Sequence, residues 1–577
     1  MRRYVSRVGR PRRGHDVVAH VAATGSTPPA APYTPDVDRR SRLVLLTVLG
    51  AGVFLSGLEL MVTAVALPSI VVDLAGWTEL REASWIINGY LLAYVITMPL
   101  AGRLADQWGV RRLFHAGLIT FTLGSLLAGL APSLEALIAA RLVQAIGGGI
   151  LVPVGTAAAS HLFEGDGRPR ALGVIGALTF LGMAAGPFVG AWIIGGIHPG
   201  AALDGAGIVD GPVRDVLEDP WRYVFYVNVP IGIGAIGLAW AAAHGWETPR
   251  RAGPVDVSGA VAFSLALGLA LVAITLAGSE QIAGLGTDPA LVLGGLAAAA
   301  IVAGVLAAGL GIRHPAGFLD VRLFRSGTFS SAALVSLLTG YGLATAIVGG
   351  AVFVDRVLYG GPDVQRVALG ALAAATAIGA LGSGLALRVV GLRLVTVVGL
   401  VLSAAALVRM SAWTPATELP EVAWLMGAFG LGFGLTVTPR STAAVDALGQ
   451  AAFGVASATV TVARMIGMAI GLAALTAFGS TTIDRLYAQV YATADSYKLF
   501  VPAALRDRPL KDGLVVQALE SWASGEAARI LVGIFLVAAL VTATALIPAL
   551  ALGRRRILAP GSAPDGSRAG IEEVEAR

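Results

Sequence analysis

Apolar residues along this chain come in long, nearly unbroken runs. They show neither the alternation of half-buried strands nor the three-to-four spacing of surface helices. The first run, 43–72, reads LVLLTVLGAGVFLSGLELMVTAVALPSIVV, and others follow at 84–101, 113–130, 135–158, 171–194, 223–243, 257–277, 290–311, 329–352, 367–387, 394–412, 421–438, 453–479 and 528–552. At about 1.5 Å of rise per helical residue, about 20 residues span the roughly 30 Å hydrocarbon core of a bilayer. The pattern therefore predicts an all-α polytopic membrane protein with fourteen transmembrane helices.

An even number of crossings places both chain ends on one side, and the arginines say which. Arg103, Arg111, Arg112, Arg168, Arg170, Arg250, Arg251, Arg313, Arg322, Arg325, Arg388 and Arg393 fall in alternate short loops, and Arg554, Arg555 and Arg556 follow the last run. Positive charge is retained on the cytoplasmic side, so those loops and both termini are expected there. Residues 1–42 are rich in Arg and Pro with no apolar signal core, and are expected to form a disordered cytoplasmic tail; 553–577 is expected to be a second tail. Two outer segments are long: a Gly/Asp-rich stretch from Gly195 to Trp221, and 480–526. Ile483, Leu486, Tyr487, Val490 and Tyr491 keep helical spacing into the second, predicting a helix that either extends the thirteenth beyond the membrane or lies on the membrane surface. AVFVDRVLYGGPDVQRVAL, with Gly360 and Gly361 at its centre, predicts an external hairpin.

One loop occurs twice. GRLADQWGVRRL begins at Gly102 and GLALRVVGLRL at Gly384, so that Gly102, Gly109 and Arg111 map onto Gly384, Gly391 and Arg393 at a constant offset, while Arg388 stands where the first copy has Asp106. Two six-helix bundles, 43–243 and 329–552, joined by a linker 244–328 with two extra helices, place the repeat equivalently. Repeated bundles of this kind are a transporter architecture, with the substrate site between the halves.

Composition agrees: 56% of the residues are hydrophobic, 13% are charged and the mean hydropathy is +0.77. The net charge of +5 lies in loops and tails, which argues against nucleic acid as a partner. There is no cysteine, and the seven histidines form no HExxH pair, so no metal or other cofactor is expected. Gly232, Gly234 and Gly237 satisfy GxGxxG but lie inside an apolar run, and neither Lys498 nor Lys511 is followed by Ser or Thr, so there is no phosphate-binding loop. A lipid-modifying enzyme would need clustered His, Asp or Glu near one interface, which is absent from the sequence pattern.

Against this background a few polar residues carry the chemistry. Glu59 lies mid-run, where insertion costs about 2.5–3.5 kcal/mol, so a protonatable functional group is the default reading, with a packing hydrogen bond as the alternative. Arg141 lies about two turns inside the fourth run, followed by Gln144 and Gly147, Gly148 and Gly149; Glu59 is its natural partner, snorkelling to the interface the alternative. Gly102, Asp106, Gly109, Arg111 and Arg112 form a tight turn in which the acid could lock one helix end against another. Gly182, Gly186 and Gly190 make a flat stripe for close helix packing and Pro187 a kink. Arg464, about 16 Å into the thirteenth run, needs an acceptor such as Asp355, helix carbonyls, or an anionic lipid or substrate group, with snorkelling to the interface the equal alternative.

The turn at Gly102 closely resembles the signature loop of the major facilitator superfamily. R-x-x-Q-x-x-G-G-G resembles its fourth-helix motif, in which the arginine is tied to proton coupling, and G-x-x-x-G-P-x-x-G resembles the motif of its antiporters. ELMVTAVALP resembles the first-helix signature D-x-T-x-x-N-x-A-L-P of the fourteen-helix drug:proton antiporters, with Glu59, Met61 and Ala64 replacing Asp, Thr and Asn. Arg464, VFVDRVLYGG and the long last loop resemble the branch containing mycobacterial triacylglyceride and drug exporters, which work with a periplasmic lipoprotein. The resemblance implies a proton-coupled antiporter of the bacterial inner membrane, exporting lipids or hydrophobic drugs by alternating access, with protons and membrane lipids as partners. A general multidrug pump is the alternative, and a passive channel a more distant one.

Overall fold

A computed structural model describes residues 37–74, 85–164, 167–242, 246, 256–277, 288–313, 321–360, 362–448, 452–490, 493 and 495–553. The expected tails, including Arg554, Arg555 and Arg556, lie almost wholly outside the described residues. Every regular element described is helical. Fourteen long helices follow in order: α1 Arg39–Leu74, α2 Trp85–Trp108, α3 Val110–Gly129, α4 Leu134–Leu162, α5 Gly167–Gly196, α6 Asn228–Ala242, α7 Val257–Ala277, α8 Pro289–Arg313, α9 Gly327–Ala344, α10 Pro362–Ala386, α11 Leu392–Met410, α12 Leu419–Leu448, α13 Phe453–Val490 and α14 Gly513–Thr544.

Among the described residues, twelve helical stretches are long and apolar enough to cross a membrane, and α5, bent by 45° between Met183 and Phe188, makes thirteen. Pro187 stands in that bend, as its fixed φ and missing N–H lead one to expect, though its side chain lies outside the described residues. The apolar part of α7, Ser258–Ile274, is shorter than the rest, so the fourteen expected crossings number twelve or thirteen by this measure.

The two bundles repeat one packing scheme. α1 packs on α5, α2 on α4 and α3 on α4; in the second half α9 packs on α13, α10 on α12 and α11 on α12. Between the halves α2 meets α13 and α5 meets α10, which are again equivalent pairs. α7 lies against α2 and α13, and α8 reaches the bundle mainly through α7. Small residues permit the close crossings. A Cβ on Gly182 would strike the Phe54 carbonyl, one on Gly186 would lie 2.8 Å from the Met61 Cβ, and one on Gly190 3.2 Å from the Val62 carbonyl oxygen. The stripe on α5 therefore seats α1, the helix that carries Glu59.

Three elements differ from the sequence reading. The expected hairpin at 350–365 is helix: α9 continues through a π-turn, Thr345–Gly349, into Gly350–Arg356, and α10 begins at Pro362. Backbone confined to an apolar environment satisfies its hydrogen bonds most locally as helix, which overrides short alternation. α14 begins at Gly513, well before the apolar run at 528. With α13 reaching Val490, the long outer loop shrinks to a cap in which Val490, Tyr497, Val501 and Val515 are buried together. α12 continues to Leu448, ten residues past the end of its apolar run. In the other outer segment, Arg214 bonds Glu218 at 2.8 Å and holds that carboxyl below its ordinary value.

Candidate functional site

Glu59 is wholly buried where α1, α4 and α6 meet. Arg141 donates to its Oε1, Thr63 donates to the same oxygen at 3.0 Å, and the Asn228 amide donates to Oε2 at 2.8 Å. Arg141 is held from several sides. It donates to Gln144 Oε1 at 2.6 Å and to the Ile86 carbonyl at 3.4 Å, and its guanidinium lies 3.9 Å from the Tyr90 ring centre. Gln144 in turn donates to Ser125 at 2.7 Å. Glu59, Gln144, Asn228 and Ser125 have no measurable exposure and Arg141 only 1%. A buried ion pair is tolerable only when its remaining donors and acceptors are largely met; here both Glu59 oxygens and the Nε and Nη1 of Arg141 have partners, while the Asn228 Oδ1 beside them has none. The three glycines after Gln144 supply the room: a Cβ on Gly147 would hit the Phe121 backbone and one on Gly149 would lie 2.6 Å from the Tyr94 carbonyl oxygen.

The repeated turn lies where α2 passes into α3, on the side expected from its arginines to face the cytoplasm. Gly102 and Asp106 fall in the last turns of α2, and Gly109, at φ 93, is the single residue between α2 and α3. That left-handed conformation suits glycine. Asp106 accepts from the backbone N–H groups of Gly454 and Val455, at 2.8 and 3.0 Å, and so caps the first turn of α13 in the opposite half. Gly102 is needed at this crossing, since a Cβ there would come within 2.5 Å of both Ala458 Cβ and the Gly454 carbonyl oxygen. Arg111 is half-buried and Arg112 exposed on the α3 side of the turn. Nearby, Arg168 pairs with Asp446 at 3.0 Å and Ser457 donates to the Pro153 carbonyl at 2.9 Å, both across the halves.

The second copy is built differently. A Cβ on Gly384 would lie 2.6 Å from the Pro169 carbonyl oxygen of α5, matching the approach of Gly102 to α13. Gly391, however, has an ordinary φ of −62 and the Arg388 Nε is buried without a hydrogen bond.

These observations decide the fold family: two bundles with the same internal packing, a repeated inter-half turn and matching α2–α13 and α5–α10 contacts, in a chain whose residues 49–472 match the Major Facilitator Superfamily model. This chain belongs to the Major Facilitator Superfamily. It is 33% identical over 473 residues to a protein named triacylglyceride transporter from Mycolicibacterium hassiacum, covering 78% of this chain and 82% of that one. It is also 27% identical over 453 residues to the multidrug transporter protein MdtP of Bacillus subtilis, covering 77% of each. The solved structure of the Escherichia coli fucose:proton symporter FucP shares the fold, with a TM-score of 0.53 at 13% identity over 89% of this chain and 100% of that one. The protein is thus a multi-pass membrane transporter and not an enzyme.

In this facilitator a second polar region lies between the halves. α4, α5, α12 and α13 line a small unfilled space bordered by Thr156, Thr179, Phe180, Arg440, Ser441 and Arg464. Arg464 is 8% exposed, its guanidinium lies 5.3 Å from the Phe180 ring centre, and its Nε has no hydrogen-bond partner. The Asp355 side chain, the expected candidate partner, lies outside the described residues. Arg440 is 1% exposed and donates to Thr339 at 2.6 Å.

Arg440, Asn228 and Thr63 were not singled out by the sequence reading. Arg440 falls just beyond the apolar run 421–438 and so reads as a loop arginine, until α12 proves longer than its run. An asparagine inside YVFYVNVPIG was the available signal for Asn228.

Proposed function

We propose that this chain is a proton-driven exporter of lipophilic substrates in the bacterial inner membrane, with fourteen crossings and both ends in the cytoplasm. The observation that supports it most is the fully buried Glu59, tied to Arg141, Asn228 and Thr63 with no exposure to either side. A proton arriving from outside neutralises Glu59 and weakens its hold on Arg141. The bundles then rock, and loss of the proton inside restores the pair and favours the state that takes up substrate. A proton crossing down the membrane potential supplies about 2.3 kcal/mol per 100 mV, comparable with a conformational preference of a few kcal/mol. Asp106 on the first turn of α13, with the α2–α13 glycine contact, serves as the inner gate of this cycle.

The named relatives support lipids, triacylglycerides among them, as substrates, and a lipoprotein acceptor at the outer face belongs to that reading. A general multidrug pump is the second reading, supported by the likeness to MdtP. Lipid extraction by the purified protein, set against dye efflux in cells, separates the two.

The deciding experiment is Glu59→Gln in proteoliposomes. Transport driven by a pH gradient should fall at least a hundredfold while exchange at equal pH persists. Gradient-driven transport that survives the substitution would sink the proton-coupling reading, and transport that needs no ion gradient at all would point to a channel.

A further inference from the structure

The cavity between the halves contains two buried cations and no carboxylate. Arg440 and Arg464 both line it, yet among the described residues neither is paired with an acid. The hydroxyls around them do not compensate: Thr156, Thr179, Ser441 and Thr461 each donate to a carbonyl of their own helix, at 2.8, 2.8, 3.0 and 2.9 Å. Arg464 keeps a buried Nε with no acceptor. Two guanidinium groups lining one space, with no acid partner among the described residues, are costly to bury, and their planar forks match the oxygens of a carboxylate or phosphate.

A second space adjoins the first. Phe180 lines both, and beyond it Met61, Met183, Phe188, Leu343 and Leu369, with Arg366 as the one charged neighbour, line an almost entirely apolar crevice between α1, α5, α9 and α10. The first space is lined by two cations, and the second presents an apolar wall with a single charged residue in its lining. Phe180 itself packs edge-on against Phe433 at 5.3 Å, placing one aromatic wall between head and tail compartments.

We propose that Arg440, Arg464 and the crevice beyond Phe180 together bind an anionic amphiphile, whose phosphate or carboxylate meets the two guanidinium groups while its acyl chain occupies the crevice. This rests on the exporter reading and narrows its lipophilic substrates to charged amphiphiles, in place of the neutral triacylglycerides named for the relatives. A neutral ester would leave both cations uncompensated. Tyr94, stacked 5.7 Å from the Tyr90 ring that faces Arg141, also lies within electrostatic reach of Arg464, so the two charged regions are neighbours along α2.

The test is equilibrium binding to the purified full-length protein in detergent, at one pH and with no gradient, which separates it from any failure of proton coupling. The probes are 1-palmitoyl lysophosphatidic acid, 1-palmitoylglycerol and inorganic phosphate. Lysophosphatidic acid should bind at least tenfold more tightly than the uncharged monoacylglycerol. Arg440→Gln and Arg464→Gln should each erase that preference while leaving monoacylglycerol affinity within twofold, and Arg464→Lys should keep part of it. Equal affinity of the two lipids for the unaltered protein overturns the proposal without recourse to any variant. So does a preference that survives both glutamine substitutions. Displacement of lysophosphatidic acid by inorganic phosphate at matched concentration would also overturn it, reassigning the site to a free anion.

Discussion

The two halves share a packing scheme but treat buried charge in opposite ways. In the first half Arg141 faces a carboxylate, an amide and an aromatic ring, so its charge is matched by an acid. In the second half Arg440 and Arg464 face a hydroxyl, two aromatic rings and empty space. The same contrast recurs at the repeated turn, where Asp106 caps α13 but Arg388 occupies the equivalent place near α5. A duplicated architecture has thus been divided: Glu59 and Asp106 lie in the first half, while Arg440 and Arg464, without an acid partner among the described residues, lie in the second.

The sharpest way to break this comparison is through stability. Arg141→Met leaves Glu59 as a lone buried charge and should destabilise the protein by about 3–5 kcal/mol, read as a lowered melting temperature in detergent. Arg464→Met removes a cation that has no acid partner among the described residues, and should leave the melting temperature unchanged or raised. Equal losses in the two variants would mean that Arg464 has a partner of its own.

Smaller effects test the inner face, and the absence of native cysteine makes Ser441→Cys, lining the central cavity, a unique reporter of access from that side. Gly454→Ala drives a methyl group into the Gly102 carbonyl, so labelling should rise at least tenfold. In Asp106→Asn the helix-dipole contribution of a charged cap is lost, worth about 1 kcal/mol, and labelling should rise roughly fivefold. Arg168→Ala should change it least. That pair is 17% and 49% exposed, such pairs contribute about 0–1 kcal/mol, and any effect should fade in high salt. A larger change for Arg168→Ala than for Asp106→Asn would shift the latch from the capped helix to the ion pair.

The sequence by itself determined the membrane class, the helical order, the repeated turn and the Glu59–Arg141 partnership. Long apolar runs admit almost no alternative to helices in lipid, and a carboxylate and a guanidinium deep within such runs have few partners to choose from. Only the tertiary structure decided that Asp106 reaches α13 rather than a neighbour in its own loop, since that contact joins residues 348 positions apart. Only it brought Asn228 to Glu59 and placed Arg440 inside the bundle. Hydropathy marks where a chain can enter lipid, but a helix that continues past its apolar run carries polar residues into protein-lined space, and the packing of the other helices alone determines where that space lies.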